Sequence, residues 1–248
     1  MRCLLVAAAV TAAGCARGLA EPAPTAPPVE AERMAKAPVG VPGEGIVYKV
    51  SLRGIGVGRV QVAVGEPGFV EGRPAIIVRT RATSTGLAAV IGDISYDLTT
   101  TLDTDTGEAL EETESWDMKF AGEHEHDANH RTLASDGSLD RNVHAVIGQL
   151  RAWRSKPGDS RTEDLRLGDM HLSLALSDTG REFLASANLP AARYVGSAQD
   201  GRYPVTIWLS DDEARVPLRL VANSKLGEIA VELASYDITH DAAPALGE

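Results

Sequence analysis

The sequence predicts an all-β protein: an antiparallel, strongly curved sheet or barrel-like fold with one short helix. Apolar and polar residues alternate along many short segments, as they do in strands that bury one face. Short polar turns separate these segments, and strands spaced this closely are typical of barrels and sandwiches. Because helices do not alternate with strands along the chain, a parallel α/β sheet is excluded.

The clearest strand pattern lies in residues 202–236, which we predict to form three antiparallel strands. Apolar residues alternate with polar ones between Val205 and Leu209, and two similar rows follow. Residues 210–213 and 223–227 carry the side chains that favour tight turns. Each strand then presents one apolar row on the same face, so the three rows can share one core.

The same alternation predicts strands earlier in the chain, within residues 45–65, 73–83, 94–102, 110–120, 165–176, 181–187 and 191–197. Residues 122–130 read as a polar hairpin tip with a turn at residues 127–129. Residues 142–154 are the one helix candidate, because apolar residues recur there at helical spacing from Val143 to Leu150. We expect this helix to pack at one open end of the sheet.

The N-terminus reads as a lipoprotein signal peptide over residues 1–14. Its apolar run is too short to span a bilayer, which takes about 20 residues. Cys15 directly follows Ala-Ala-Gly, which resembles a bacterial lipobox, and we expect Cys15 to carry the lipid. Ala16 follows it where an inner-membrane signal would have Asp, which suggests the outer membrane, facing the periplasm. The alternative is ordinary signal cleavage near Ala20 with Cys15 unmodified.

The remaining chain divides into a tether, one domain and a tail. Residues 15–42 contain six of the 13 prolines and no sustained apolar period, so they cannot bury enough surface to offset the entropy of ordering. We expect a disordered, extended linker there. A single β-domain is predicted over residues 43–239, followed by a flexible tail at residues 240–248.

Composition narrows the classes of function. The chain has 248 residues and a formal net charge of −11, and an acidic surface repels the phosphates of nucleic acids and anionic lipids. Both cysteines, Cys3 and Cys15, precede the predicted domain, so no disulfide crosslinks the domain and no cysteine in it acts as a nucleophile. We predict no cofactor and no nucleic-acid partner.

Three histidines are the only residues whose pattern resembles a metal site: His124, His126 and His130. Two imidazoles two residues apart share one face of a strand, and a third brought close by a turn would complete a zinc site. The alternative is an exposed, charged hairpin tip. These histidines are weak candidates, and we predict no metal.

Three further side chains are candidates for contact with a ligand. Arg79 and Arg81 share one face of a predicted strand, where they can bind an anionic group or form ion pairs with a neighbouring strand. Trp208 points away from Ile207 and Leu209, so it either packs on a second layer or lines a ligand surface.

No nucleophile elbow or phosphate loop is present in the sequence. Asp211 and Asp212 lie in a predicted turn beside Arg215, where Asp is favoured for its local backbone hydrogen bonds. We therefore predict a non-catalytic module that binds an apolar or amphipathic ligand or a partner protein. The alternatives are a structural lipoprotein with a filled interior and, with less support, a metal-dependent hydrolase.

The C-terminal segment also carries a family resemblance. Residues 207–210 (IWLS), 211–212 (DD), 215–217 (RVP) and 226–229 (LGEI) resemble the C-terminal signature of a bacterial envelope family, domain-of-unknown-function family 3108. Weaker matches lie in an opening hairpin at residues 45–58 and a helix at residues 143–153. The resemblance covers roughly residues 43–239 and implies an exported, mostly β-fold. It implies no accepted activity and no catalytic residues.

Overall fold

The computed structural model describes residues 40–86, 88–89, 92–120, 123–132, 141–167, 170–199 and 201–238. The predicted signal peptide, Cys15, most of the tether and the tail at residues 240–248 lie outside the described residues. Within the described part, no helix is long and apolar enough to cross a membrane.

The first seven strands precede the helix: β1 (Glu44–Leu52), β2 (Ile55–Val64), β3 (Gly68–Val70), β4 (Arg73–Ser84), β5 (Gly92–Asp103), β6 (Ala109–Phe120) and β7 (Glu123–Thr132). Six strands follow α1 (Val143–Ala152): β8 (Ser160–Leu167), β9 (Met170–Leu184), β10 (Leu189–Ala198), β11 (Tyr203–Ser210), β12 (Pro217–Ser224) and β13 (Gly227–Ile238).

The strands form one antiparallel sheet in the order β7-β6-β5-β4-β2-β1-β13-β12-β11-β10-β9-β8, with β3 paired to β4. The first and last strands, β1 and β13, pair in the middle of the sheet. Among the described strands β7 and β8 do not pair with each other, so the sheet stays open there. The predicted fold class, a strongly curved antiparallel sheet with one helix, is confirmed.

The two faces of the sheet follow from the alternation that the sequence shows. On β1, Ile46, Tyr48 and Val50 are buried, whereas Val47 is half-buried and Lys49 is exposed. We call the face that carries Ile46 and contacts α1 the concave face, and the opposite one the convex face. Apolar rows of the other strands continue the concave face and form several buried clusters along it.

The helix begins where the sequence predicts. The side chain of Asn142 accepts a hydrogen bond from the Ala145 backbone N–H, and the Trp153 backbone N–H donates to the Gln149 carbonyl at the other end. Eight of its ten residues are buried, so protein surrounds the helix on nearly all sides.

Two strand predictions were wrong. Residues 165–176, predicted as one strand, belong to two paired strands: Leu165 on β8 lies opposite Leu172 on β9. The apolar positions change from odd numbers on β8 (Leu165, Leu167) to even numbers on β9 (Met170, Leu172), so the sequence contains a break in phase that the prediction overlooked. Residues 181–187, predicted as a separate strand, instead begin within the end of β9, which runs unbroken to Leu184.

The predicted hairpin tip at residues 122–130 was also wrong. Residues Glu123–Thr132 form one continuous strand that pairs along its length with β6. Cross-strand pairing with β6 overrides the turn preference of Asp127, Ala128 and Asn129.

Candidate functional site

The helix brings the two halves of the sheet into one interior. Val146 and Leu150 pack with apolar residues of β8 to β11, including Tyr194 and Leu209. Ala145 packs into a second cluster with residues of β2, β4, β5 and β6. The concave face is therefore filled by α1 along the part of the sheet that these strands cover.

Polar contacts fix the start of the helix against β5 and β6. The Asn142 Nδ2 donates to Thr100 Oγ1 at 2.8 Å and to Glu112 Oε2 at 2.7 Å. The other Glu112 oxygen accepts from Arg166 Nη2 at 2.9 Å. All four side chains are buried, and their mutual hydrogen bonds offset the cost of removing them from water.

His144 lies in the same network. Its Nδ1 is 2.8 Å from Thr100 Oγ1, and its Nε2 is 2.7 Å from Thr80 Oγ1. A neutral imidazole accepts at one nitrogen and donates at the other, which suits two hydroxyl partners. Burial lowers the pKa of His144 to about 3, so the ring is neutral at physiological pH.

The end of the helix is bound to the first strand by a buried ion pair. The two Nη atoms of Arg151 donate to the two carboxylate oxygens of Glu44 at 2.7 and 2.9 Å, and its Nε donates to the Ala214 carbonyl at 3.0 Å. The side chains of Arg151 and Glu44 are 3% and 0% exposed. This bidentate geometry uses most of the donors that a guanidinium offers.

The segment after the helix is held by a second polar cluster. Ser155 Oγ donates to Asp178 Oδ2 at 2.5 Å and lies 2.9 Å from the Tyr194 hydroxyl. Burial alone would raise the pKa of Asp178, but hydrogen bonds from Ser155, Arg181 and the Gly180 backbone lower it below its ordinary value. Ser155 contacts a carboxylate and a phenol, not an imidazole, so this cluster supports the fold rather than nucleophilic chemistry.

The convex face carries a shallow groove of about 410 Å³ over β13, β1, β2 and β4. Small side chains form its floor, because Gly45 lies opposite Ala63 on one side and Asp237 on the other. Val47 extends the floor between Gln61 and Ser235. We call this surface the convex groove.

Two of the predicted ligand-contacting residues line the convex groove. Arg79 lies opposite Ala63, and Arg81 lies opposite Gln61. Their side chains are 60% and 55% exposed, and both reach Asp97 on β5, at 3.2 Å for Arg79 and 3.8 Å for Arg81. Two guanidiniums thus share one carboxylate, which balances only one of their two positive charges.

The structure places Trp208 away from the convex groove. Trp208 is 9% exposed and packs in a cluster with Leu184, Ala191 and Leu218. The indole Nε1 donates to Glu182 at 2.6 Å. Two guanidiniums flank the ring, those of Arg193 at 5.9 Å and Arg219 at 5.3 Å from its centroid.

The three histidines lie on β7, on the convex side of the sheet, and they do not converge. His124 Nε2 is 2.7 Å from Asp117 on β6, and His130 Nε2 is 3.3 Å from Glu111. The hydrogen bond with His124 lowers the pKa of Asp117. Among the described residues, no group of three His, Cys, Asp or Glu side chains is placed to hold a metal ion.

Sequence reasoning identified the arginines of the convex groove but missed its floor. The floor residues lie at alternate positions of their strands, so the sequence pattern shows only that they belong to the convex face. They are Gly45, Ala63, Ser235 and Asp237. The useful signal is that small residues stand there where longer polar ones are usual. That these small residues are neighbours follows only from the pairing of the first strand with the last.

These features define an open, antiparallel, barrel-like protein with a helix in its concave face. The chain matches the family described as "Protein of unknown function (DUF3108)" over residues 47–234, and it belongs to that family. The resemblance seen in the sequence is therefore confirmed. No curated protein shows significant similarity to the chain.

Solved structures are similar to this chain at low sequence identity. The β-barrel-like protein of domain of unknown function DUF1849 from Brucella abortus has a TM-score of 0.50 and 10% identity, covering 81% of this chain and 99% of that one. The hypothetical protein CT021 from Chlamydia trachomatis has a TM-score of 0.36 and 9% identity, covering 86% of this chain and 96% of that one. A DUF1329 family protein from Desulfovibrio piger has a TM-score of 0.26 and 9% identity, covering 85% of this chain and 91% of that one. The first shows the fold and assigns no activity.

Replacing Arg151 with Met should lower the free energy of unfolding by about 3–5 kcal/mol, because it leaves the Glu44 carboxylate buried without its partner. Replacing both Glu44 and Arg151 with Met should recover a large part of this loss. Urea unfolding followed by circular dichroism measures both effects. A single variant as stable as the wild type would contradict the prediction.

The buried His144 should make the protein less stable as the pH falls from about 6.5 toward 3. In this window the unfolded state binds a proton that the folded state does not, so the free energy of unfolding falls with decreasing pH. The loss should reach about 2 kcal/mol between pH 6.5 and pH 5, before most carboxylates titrate.

The variant His144→Gln should lose this dependence, whereas replacing the exposed His171 with Gln should retain it. The measurement is urea unfolding at several pH values. Equal slopes for His144→Gln and the wild type would show that His144 is not the group responsible.

Proposed function

We propose that this protein is a lipid-anchored, non-catalytic binding module of the bacterial cell envelope, and that it binds its ligand in the convex groove. The observation that carries the proposal is the pair of exposed guanidiniums, Arg79 and Arg81, beside a floor of small residues. Such a surface suits an amphipathic ligand or an extended segment of a partner protein with an anionic group.

The proposed membrane attachment rests on the N-terminal sequence. An apolar run ends in Ala-Ala-Gly-Cys, so Cys15 becomes the lipidated first residue of the mature chain. One acyl chain binds a membrane only weakly, whereas the several chains of a lipoprotein anchor it stably. Ala16 at the next position directs the protein to the outer membrane, facing the periplasm.

The position of the convex groove fits a tethered domain. Gly45, in the floor, is the second residue of the first strand, so the tether joins the domain beside the groove. The concave face is less suited to a ligand near α1, because the helix and its hydrogen-bonded partners fill it.

The second candidate function is a structural lipoprotein, which the filled concave face near α1 favours. It differs from the first in needing no ligand at Arg79 and Arg81. A metal-dependent hydrolase has less support, because His124, His126 and His130 lie in line along one strand.

Replacing Cys15 with Ala should leave the chain unlipidated and release it from the membrane fraction. The reason is that the lipid is attached to this thiol and the described residues contain no membrane-spanning helix. Fractionation and intact mass spectrometry measure both effects. A variant that stays membrane-bound with unchanged processing would refute lipidation of Cys15.

Charge reversal should empty the convex groove. In native mass spectrometry of protein purified from its own envelope, we expect a co-purifying mass that Arg79→Glu/Arg81→Glu reduces about tenfold or more, because charge-assisted hydrogen bonds are lost. The matched control is Arg59→Glu, an exposed position on β2 two residues before Gln61.

The control should retain the bound mass. If the wild type carries no bound mass, or if the double variant keeps it, the groove is not the binding site and the structural lipoprotein is favoured.

A further inference from the structure

The outer edge of the sheet at β7 is unusual in its composition. All but two of its ten residues are exposed, and no described strand pairs with its outer side. An unpaired strand edge presents backbone N–H and C=O groups to any strand that can align with it. Charged residues on β7, including Glu123, Glu125 and Asp127, oppose such pairing by chance.

Three histidines occupy one face of this edge strand. All three are at even-numbered positions, so their side chains lie on the same side of the strand. On β6, Lys119 lies opposite His124, Asp117 opposite His126 and Thr113 opposite His130. Their side chains are 55%, 60% and 58% exposed. His126 and His130 are four residues apart, roughly 13 Å along the strand, so they cannot bind one metal ion within a single copy.

Each of these imidazoles already has a carboxylate near one ring nitrogen. Asp117 lies 2.7 Å from His124 Nε2 and 3.9 Å from His126 Nδ1, and Glu111 lies 3.3 Å from His130 Nε2. In metal sites a carboxylate commonly holds the second nitrogen of a ligating histidine and orients the ring. The opposite nitrogens of His124 and His126 can then face a metal ion. His130 Nδ1 lies 3.1 Å from Thr113 Oγ1, and a metal ion at this nitrogen would replace that exposed contact.

We propose that two copies of this chain pair antiparallel through β7, with Ala128 on the two-fold axis, and that zinc ions bind between their histidines. In this register His126 lies opposite the partner's His130, and Glu125 lies opposite the partner's Arg131. Ala128 meets its own copy, which places the smallest side chain of the strand at the axis. The edge is thus self-complementary, as a two-fold interface requires.

Neighbouring registers fit less well. A register centred on Asp127 places two like charges directly opposite each other, which is destabilising. Sliding one strand by a single residue relative to its partner would place side chains from the convex face of one copy beside those from the concave face of the other. The alternation of side chains along a strand excludes this pairing.

The proposed dimer completes a site that each copy lacks. Directly opposed residues have Cβ atoms about 4.5–5.5 Å apart, so His126 and the partner's His130 can share one ion. His124, two residues from His126 on the same face, supplies a third imidazole. Zinc accepts three histidine nitrogens, and the two-fold symmetry produces two equal sites. This interface lies on a different part of the sheet from the convex groove and does not depend on it.

Sedimentation velocity of the full chain in detergent, with Zn²⁺ or with EDTA, tests the proposal. We expect the dimer dissociation constant to fall about a hundredfold or more when zinc is added. His126→Ala and His130→Ala should each abolish the zinc effect, whereas His171→Ala on β9 should keep it. A chain that stays monomeric with zinc, or a dimer that survives both substitutions, would overturn the proposal.

Crosslinking tests the register independently of zinc affinity. Ala128→Cys should form a disulfide-linked dimer under mild oxidation in zinc, because its Cβ atoms face each other across the axis. Asp127→Cys, whose neighbour across the interface is the partner's Asn129, should crosslink at least tenfold less. The unsubstituted chain gives the background of crosslinking that does not involve the introduced thiol. Equal crosslinking of the two variants would refute the register.

Discussion

The buried ion pair between Arg151 and Glu44 is the interaction on which the rest of the interior depends. It joins the end of the helix to the first residue of the first strand, across 107 positions of the chain. Two charges removed from water are costly unless each satisfies the other, and here both carboxylate oxygens and three guanidinium nitrogens are bonded. The pair therefore fixes where the helix lies far more than it adds to stability.

The helix in turn holds two dissimilar halves of the sheet together. Toward β8 to β11 it presents Val146 and Leu150, and these contacts tolerate small shifts because apolar packing is not directional. Toward β4 to β6 it presents Asn142 and His144, whose hydrogen bonds to Thr80, Thr100 and Glu112 need one geometry. The apolar side supplies most of the stabilisation, and the polar side selects one orientation of the helix in the open sheet.

Much of this fold could be predicted from the sequence, because the signals are local. Alternation from Val205 to Leu209 gives a strand and its buried face, and the spacing from Val143 to Leu150 gives the helix. The reversal between β8 and β9 was missed although the sequence marks it, because Leu165 and Leu172 are seven residues apart and the apolar alternation changes phase between them. What local signals do not report is which distant strands pair.

The candidate site was only partly predictable for the same reason. The parity of Arg79 and Arg81 shows that they share a face, and the structure adds the neighbours that make this face a groove. Long-range pairing decides which small residues lie next to the guanidiniums, and parity within one strand carries no information about it. The same limit applies to Trp208, whose apolar neighbours come from three other strands or their turns.

The position of the convex groove links binding to folding. Its floor requires Gly45 on the first strand to lie beside Asp237 near the end of the last, so the site exists only when the sheet is complete. An unfolded or partly folded chain cannot offer the same neighbours to a ligand. Any group that binds there therefore binds the folded state alone and stabilises it by mass action, by about 2.7 kcal/mol at a hundred times its dissociation constant. The described domain is an open sheet without disulfides. Binding in the groove would therefore stabilise the central pair of strands, β1 and β13, and β1 also holds the helix through Glu44.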